Sequence, residues 1–247
     1  MSPALEILEP VRFLRGCMHG IGQPCALGRL RVRQQLALPA SVAEVLGLPQ
    51  GLADHIDATP QGASAVARSL LDAYIQLSWQ ARIPVQDKLS LVRVSQADGY
   101  IYFHFVVGTW SFEATHTLLT WIQARFNDAI QSVSPALKGD PGAVVALLQP
   151  HAFAGVNAFS MVLAALRTGC NVHRLDKRIC VLGTGIHSRW VRSLSTDRTS
   201  SMSLAFARSK SETARLLRRA GLPGAVHRLV ATAEQALEAC AAIGFPV

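Results

Sequence analysis

The chain has 247 residues, half of them apolar and 16% charged, enough for one large domain or two ordinary ones around a substantial core. This composition excludes a disordered chain, and apolar runs well short of ~18 residues exclude a membrane-spanning helix. A formal charge of +8 implies attraction to something anionic; nucleic acid, nucleotide phosphates and acidic substrates all fit.

The opening MSPALEILEPVRFLRG lacks a basic stretch followed by an apolar one, so no secretory signal is expected and the cytoplasm is the expected compartment. Five cysteines, Cys17, Cys25, Cys170, Cys180 and Cys240, form no CxxC, and an odd number suits reduced thiols. Cys17, His19 and Cys25 lie close together, but no second ligand pair stands at zinc-finger spacing, so they read as ordinary loop or core residues. Arginines are densest at Arg29/Arg31/Arg33, Arg189/Arg192/Arg198 and Arg215/Arg218/Arg219, and a solvated basic face accounts for each group equally well.

The first predicted element is a strand, LEILEPVRFL, interrupted by Pro10. After the turn RGCMHGIGQPC comes LGRLRVRQQLAL, in which Leu30 and Val32 alternate with arginines as in a half-buried strand. Residues 63–79 predict a helix with Ala63, Val66, Ala67, Leu70, Leu71, Tyr74 and Ile75 on one apolar stripe. KLSLVRV and YIYFHFVVG, joined through SQADG, predict a hairpin turning at Asp98-Gly99, with His104 a satisfied strand residue. Ser111 is placed to cap the next helix, whose stripe is Thr115, Leu118, Leu119, Ile122, Phe126 and Ile130. Strand, helix, hairpin and helix make an α+β domain over 1–150, with SPALKGDPG (134–142) as the linker.

In 151–247, GVNAFSMVLAALRTG predicts a short, wholly buried helix capped by Asn157 and ended by Gly169. ICVLGTG predicts a buried strand entering a Gly-x-Gly turn; a dinucleotide fingerprint would need glycine where Ser188 stands, so that reading fails. Ser209 with Glu212 forms a capping box for a helix that Gly221 and Pro223 close. AVHRLV is strand-like. Thr232 with Gln235 forms a second box, for a helix burying Ala233, Ala236, Leu237, Cys240 and Ile243 and ending at Gly244 and Pro246. A further strand would begin at Val247.

The stretch from NAFSMVLAALRTGCNVHRL, through ICVLGTGIHSRWVRSLSTDRTSSMSLAFARSKSETARLLRRAGLP, to AEQALEACAAIGFPV resembles the cyanophycin synthetases and related ATP-grasp ligases. In those proteins a buried helix and a glycine-turn strand lead into a threonine-rich segment. A helix opening with Asp-Lys and ending in Gly-Val/Leu-Pro follows, then a helix closing on Gly-Tyr/Phe-Pro. The first 150 residues resemble the same synthetases' N-terminal domain through RFLRG and the helix, hairpin and helix of 63–130. One departure stands out: a Glu-His pair common there in the first of these helices is replaced by SLLDAYIQL, apolar apart from Asp72.

The resemblance implies amide-bond formation: ATP activates a carboxylate as an acyl phosphate, which an amine then attacks, with Mg2+ and two lysines holding the phosphates. Lys210 matches the first of these lysines, although Ser209 replaces the aspartate before it. The second lysine, the glycine-rich loop and the Mg2+ ligands would lie beyond Val247, so the chain is expected to be the front, incomplete α/β part of an ATP-grasp fold behind its α+β domain. No catalytic or metal-binding residue is assigned within 1–247. Arg189, Arg192, Arg198, Thr199 and Ser200, in the threonine-rich segment, are the expected contacts to an amino acid or acidic peptide. Two functions stay open: part of an ATP-dependent carboxylate–amine ligase, inactive by itself, or a stand-alone binding or assembly protein with the same fold. Either is compatible with self-association or with association with a ligase domain. No helix-turn-helix, RNP-like sheet motif or zinc module supports nucleic-acid binding.

Overall fold

The computed structural model describes residues 3–34, 60–130 and 140–244, and for 60–62 the backbone alone. The protein is mixed α+β, with two antiparallel sheets and seven α-helices among the described residues. It divides into two compact units, Met1–Thr196 and Asp197–Val247. Residues 151–196 therefore lie in the first unit. Most of the expected linker, 134–139, and the terminal Pro246 lie outside the described residues, and 141 and 142 already belong to a helix.

The first sheet runs in the order β1-β2-β4-β3, from β1 (Leu5–Leu14), β2 (Cys25–Arg33), β3 (Leu89–Ala97) and β4 (Tyr100–Gly108). Pro10 cannot donate to the ladder, and the β1–β2 register shifts between Leu8 and Arg12, so the strand bulges around it. Asp98 and Gly99 form the hairpin turn with φ of 51° and 75°, the left-handed pair that a two-residue hairpin requires.

Strand alternation divides this sheet into two faces. Leu30, Val32, Ile101, Phe103, Phe105 and Val107 point into the core, where they meet α1 (Pro60–Gln80) and α2 (Phe112–Ile130). Every member of the predicted α1 stripe is buried, and the Ser111 hydroxyl caps α2 by accepting from the Ala114 N–H at 3.3 Å. The next helix, α3 (Pro141–Leu148), adds Val144 and Leu148 to the same core.

α4 (Val156–Arg167) and the meander β5 (Val172–Arg174), β6 (Ile179–Leu182), β7 (Arg189–Arg192) and β8 (Ser195–Thr196) follow. Their small core is Phe153, Ala158, Val162, Leu166, Val172 and Cys180, and Trp110 packs against both it and the larger core. Two expectations are corrected here. Gly155, with φ of 88°, is the N-cap of α4, and Asn157 sits inside the helix. The helix buries one face, while Val156 is 62% exposed.

Gly183-x-Gly185 opens a 3-10 turn that leads into β7, an antiparallel neighbour. A dinucleotide site would have a helix at that point. Among the described residues no single helix is long and apolar enough to cross a membrane.

The second unit contains α5 (Ser201–Arg208), α6 (Lys210–Arg219) and α7 (Ala233–Ile243). AVHRLV, expected as a strand, is irregular chain with no ladder partner among the described residues, and Val226 and Leu229 are 66% and 86% exposed. The expected burial of the α7 stripe is also corrected. Only Ala239 is buried, and Leu237 is 71% exposed.

Candidate functional site

The expected site residues fall into two groups in different units. Arg189 and Arg192 occupy the ends of β7, in the first unit. Three positions apart on a strand, they project to opposite faces. Arg189 shares the side of buried Val191, and its Nη1 donates to the Ser188 carbonyl at 2.7 Å. Arg192 is exposed on the other side, with Trp190. The two guanidiniums therefore do not converge on one ligand.

Arg192 also acts on a carboxylate of its own unit. The Asp176 side chain accepts from the backbone N–H groups of Arg178 and Ile179, at 2.5 and 2.6 Å. These bonds hold its pKa below the ordinary carboxylate value, and the charges of Arg178 and Arg192 act in the same direction.

Arg198, Thr199 and Ser200 are exposed and consecutive at the entry to α5 in the second unit. Ser200 is the N-cap of that helix, although its hydroxyl makes no capping bond. A guanidinium and two hydroxyls ahead of a helix N-terminus form a donor-rich stretch suited to carboxylate oxygens.

Lys210 is the first residue of α6 and is exposed. The helix starts there because Ser209 leaves the helical region, with φ −104° and ψ 106°, and its Oγ accepts from the Glu212 N–H at 3.2 Å. The capping box is only half formed, since the Glu212 carboxylate instead accepts from Arg215 at 2.6 Å. The positive end of α6 and the Lys210 ammonium together present cationic character to solvent. At the far end, Gly221 takes φ of 69° and the Leu222 N–H donates to Leu217 O, closing the helix.

α7 begins in the same manner. Thr232 Oγ1 accepts from the Gln235 N–H at 3.2 Å, while Gln235 Oε1 accepts from Ala231 N–H at 2.9 Å.

Among the described residues no three His, Cys, Asp or Glu side chains gather closely enough to hold a metal ion. The zinc alternative at Cys17, His19 and Cys25 meets the same test, and all five cysteines are free thiols. Burial raises the pKa of Cys17 and Cys25, so neither is an activated thiolate.

One feature escapes sequence reasoning. A groove of about 330 Å3 opens on the face of the first sheet opposite α1 and α2, lined by Pro10, Arg12, Leu27, Gly28, Arg29 and His104. His104, expected to be a satisfied strand residue, is exposed there. The alternation of arginines in β2 marked a basic strand, but only the β2–β4 register sets Arg29 against His104. No protein-family model and no curated protein sequence matches the chain.

Proposed function

We propose that the chain is the substrate-binding front part of an ATP-dependent carboxylate–amine ligase similar to the cyanophycin synthetases. In this reading 1–150 is the N-terminal α+β domain, and 151–247 leads into the opening of an ATP-grasp lobe. Catalysis is assigned to residues outside 1–247, so the chain alone joins no substrates.

The observation that carries the reading is the build of the second unit. Two hydroxyl-capped helices flank an irregular segment, with Lys210 exposed at the first position of α6 and Arg198, Thr199 and Ser200 at the entry to α5. The exposed side chains of Val226, Leu229 and Leu237 are the surface that further strands of such a lobe would cover. Lys210 fits a nucleotide phosphate in charge and exposure. ATP, when bound, supplies the phosphoryl group that makes a carboxylate a competent electrophile. Arg198 and the neighbouring hydroxyls hold the acidic substrate.

A non-catalytic binding or assembly protein is the second reading, favoured by the same exposed Leu237, which a partner subunit would equally cover. Titration with ATP of the wild-type chain and of Lys210→Ala tests the assignment. Weak, saturable binding that drops about tenfold in the variant, near 1.4 kcal/mol, is expected. Equal binding by the two proteins would overturn the role of Lys210. Substrate-dependent phosphate release by 1–247 would overturn the placement of catalysis elsewhere.

A further inference from the structure

We propose that the face of the first sheet opposite α1 and α2 carries a binding site for a small organic phosphate monoester, held by Arg12, Arg29 and His104. This inference does not depend on the ligase reading, because every residue of the groove lies in the first unit.

Register builds the site. Arg29 stands opposite His104 across the β2–β4 ladder, and opposite Leu8 on β1. Arg12 stands opposite Leu27, two positions along the same face from Arg29. Between Leu8 and Arg12, β1 sets three residues, Glu9, Pro10 and Val11, against the single residue Gly28 of β2. That bulge separates the strands locally and leaves the groove, with Pro10 and Leu27 as its apolar lining.

The surrounding charges are arranged to leave these cations available. Glu6 on the same face is engaged by Arg31 at 2.5 Å. Glu9 accepts from the Val11 N–H at 2.9 Å and faces His116 of α2 at 3.4 Å. Among the described residues, no carboxylate pairs with Arg12, Arg29 or His104. Two guanidiniums set diagonally on one sheet face repel each other, and an anion between them offsets that repulsion.

The geometry selects the anion. Three donors from three strands, two of them guanidiniums, match the three terminal oxygens and double charge of a phosphate monoester, whereas a single carboxylate brings two oxygens and one charge. The groove also exceeds inorganic phosphate in size and has room for a short carbon skeleton against Pro10 and Leu27.

Glycerol 3-phosphate titrated into the full chain at roughly 150 mM salt, where diffuse attraction is screened, tests the proposal. Calorimetry and the His104 imidazole resonance, assigned with His104→Gln, are read together. Saturable binding that shifts the His104 resonance is expected. Arg29→Gln and Arg12→Gln should each lose about tenfold or more. Arg219→Gln, in the other unit, should bind as wild type does. The resonance shift is read on the wild-type protein, so it does not depend on how Arg12→Gln or Arg29→Gln folds. No His104 shift up to about 10 mM ligand, or equal affinity for succinate, would overturn the proposal. Tighter binding of an oligothymidylate at the same residues would also overturn it, by making a phosphodiester chain the ligand.

Discussion

Gln23 and Gln86, both buried, clasp each other's loops. Gln86 N–H donates to Gln23 Oε1 at 2.8 Å, and Gln86 Oε1 accepts from the Gly22 N–H at 2.8 Å. Gln86 Nε2 also donates to the Leu166 carbonyl at 3.1 Å, tying the end of α4 to the same point. Truncating Gln86 leaves the buried Gly22 N–H without its partner, at about 1–3 kcal/mol, while the Leu166 carbonyl keeps its bond from the Gly169 N–H. Gln86→Ala should therefore lower urea-unfolding stability by ~1–3 kcal/mol. A loss under about 0.5 kcal/mol would mean that water replaces the amide.

Gly28 stands opposite Phe105 in the β2–β4 ladder, on the core side of the sheet. A Cβ at this position would stand 2.5 Å from Phe105 Cζ, inside van der Waals contact. Gly28→Ala should cost ~1–3 kcal/mol by displacing the ring, readable in the same unfolding experiment. Coupling to Phe105→Leu, which removes the obstacle, should recover part of that loss; simple additivity would contradict the steric cause.

Cys180 lies in the small core, where burial pushes its thiol up to about 11 from an ordinary 9.0, partly offset by Arg174. Because the folded-state value is raised, the protonated thiol's contribution is complete below pH 9 and is lost as pH rises through about 11. Unfolding measured from pH 8 to 11 should show wild type losing more stability than Cys180→Ala over that window. Parallel profiles would place the titrating group elsewhere.

The first unit was legible where one residue type dictates one geometry. Asp98-Gly99 specifies a tight hairpin, and the α1 stripe from Ala63 to Ile75 has one face to bury. It was illegible where a neighbour decides. Asn157 is a competent cap by chemistry, but Gly155 supplies the positive φ that turns the chain into α4 two residues earlier. AVHRLV has strand composition, yet a strand exists only beside another, and none pairs with it among the described residues. For the site, Lys210 could be placed because Ser209 fixes the helix start. Arg189 and Arg192 could be found but not oriented, since their divergence follows from a β-strand that the sequence reading had not assigned.

The second unit should also be the less protected. Its helices bury Ala239 alone, whereas α2 buries six residues, among them Leu118, Leu119, Ile122 and Phe126. Amide exchange across 222–243 should run ahead of β4 and α2 by at least about two orders of magnitude, reflecting local opening. Equal protection would mean that a second subunit or partner covers Leu229 and Leu237.

The claim that this chain binds the acidic substrate of a ligase is tested most directly by calorimetric titration with an aspartate-rich peptide, at low and at moderate salt. Wild type should retain binding at moderate salt, and Arg198→Ala should lose on the order of 1.5–3 kcal/mol at both salts, as a charge-assisted contact does. If Arg198→Ala binds as wild type does at both salts, or if all binding vanishes with salt, the segment from Arg198 to Ser200 is not the substrate site and the account fails.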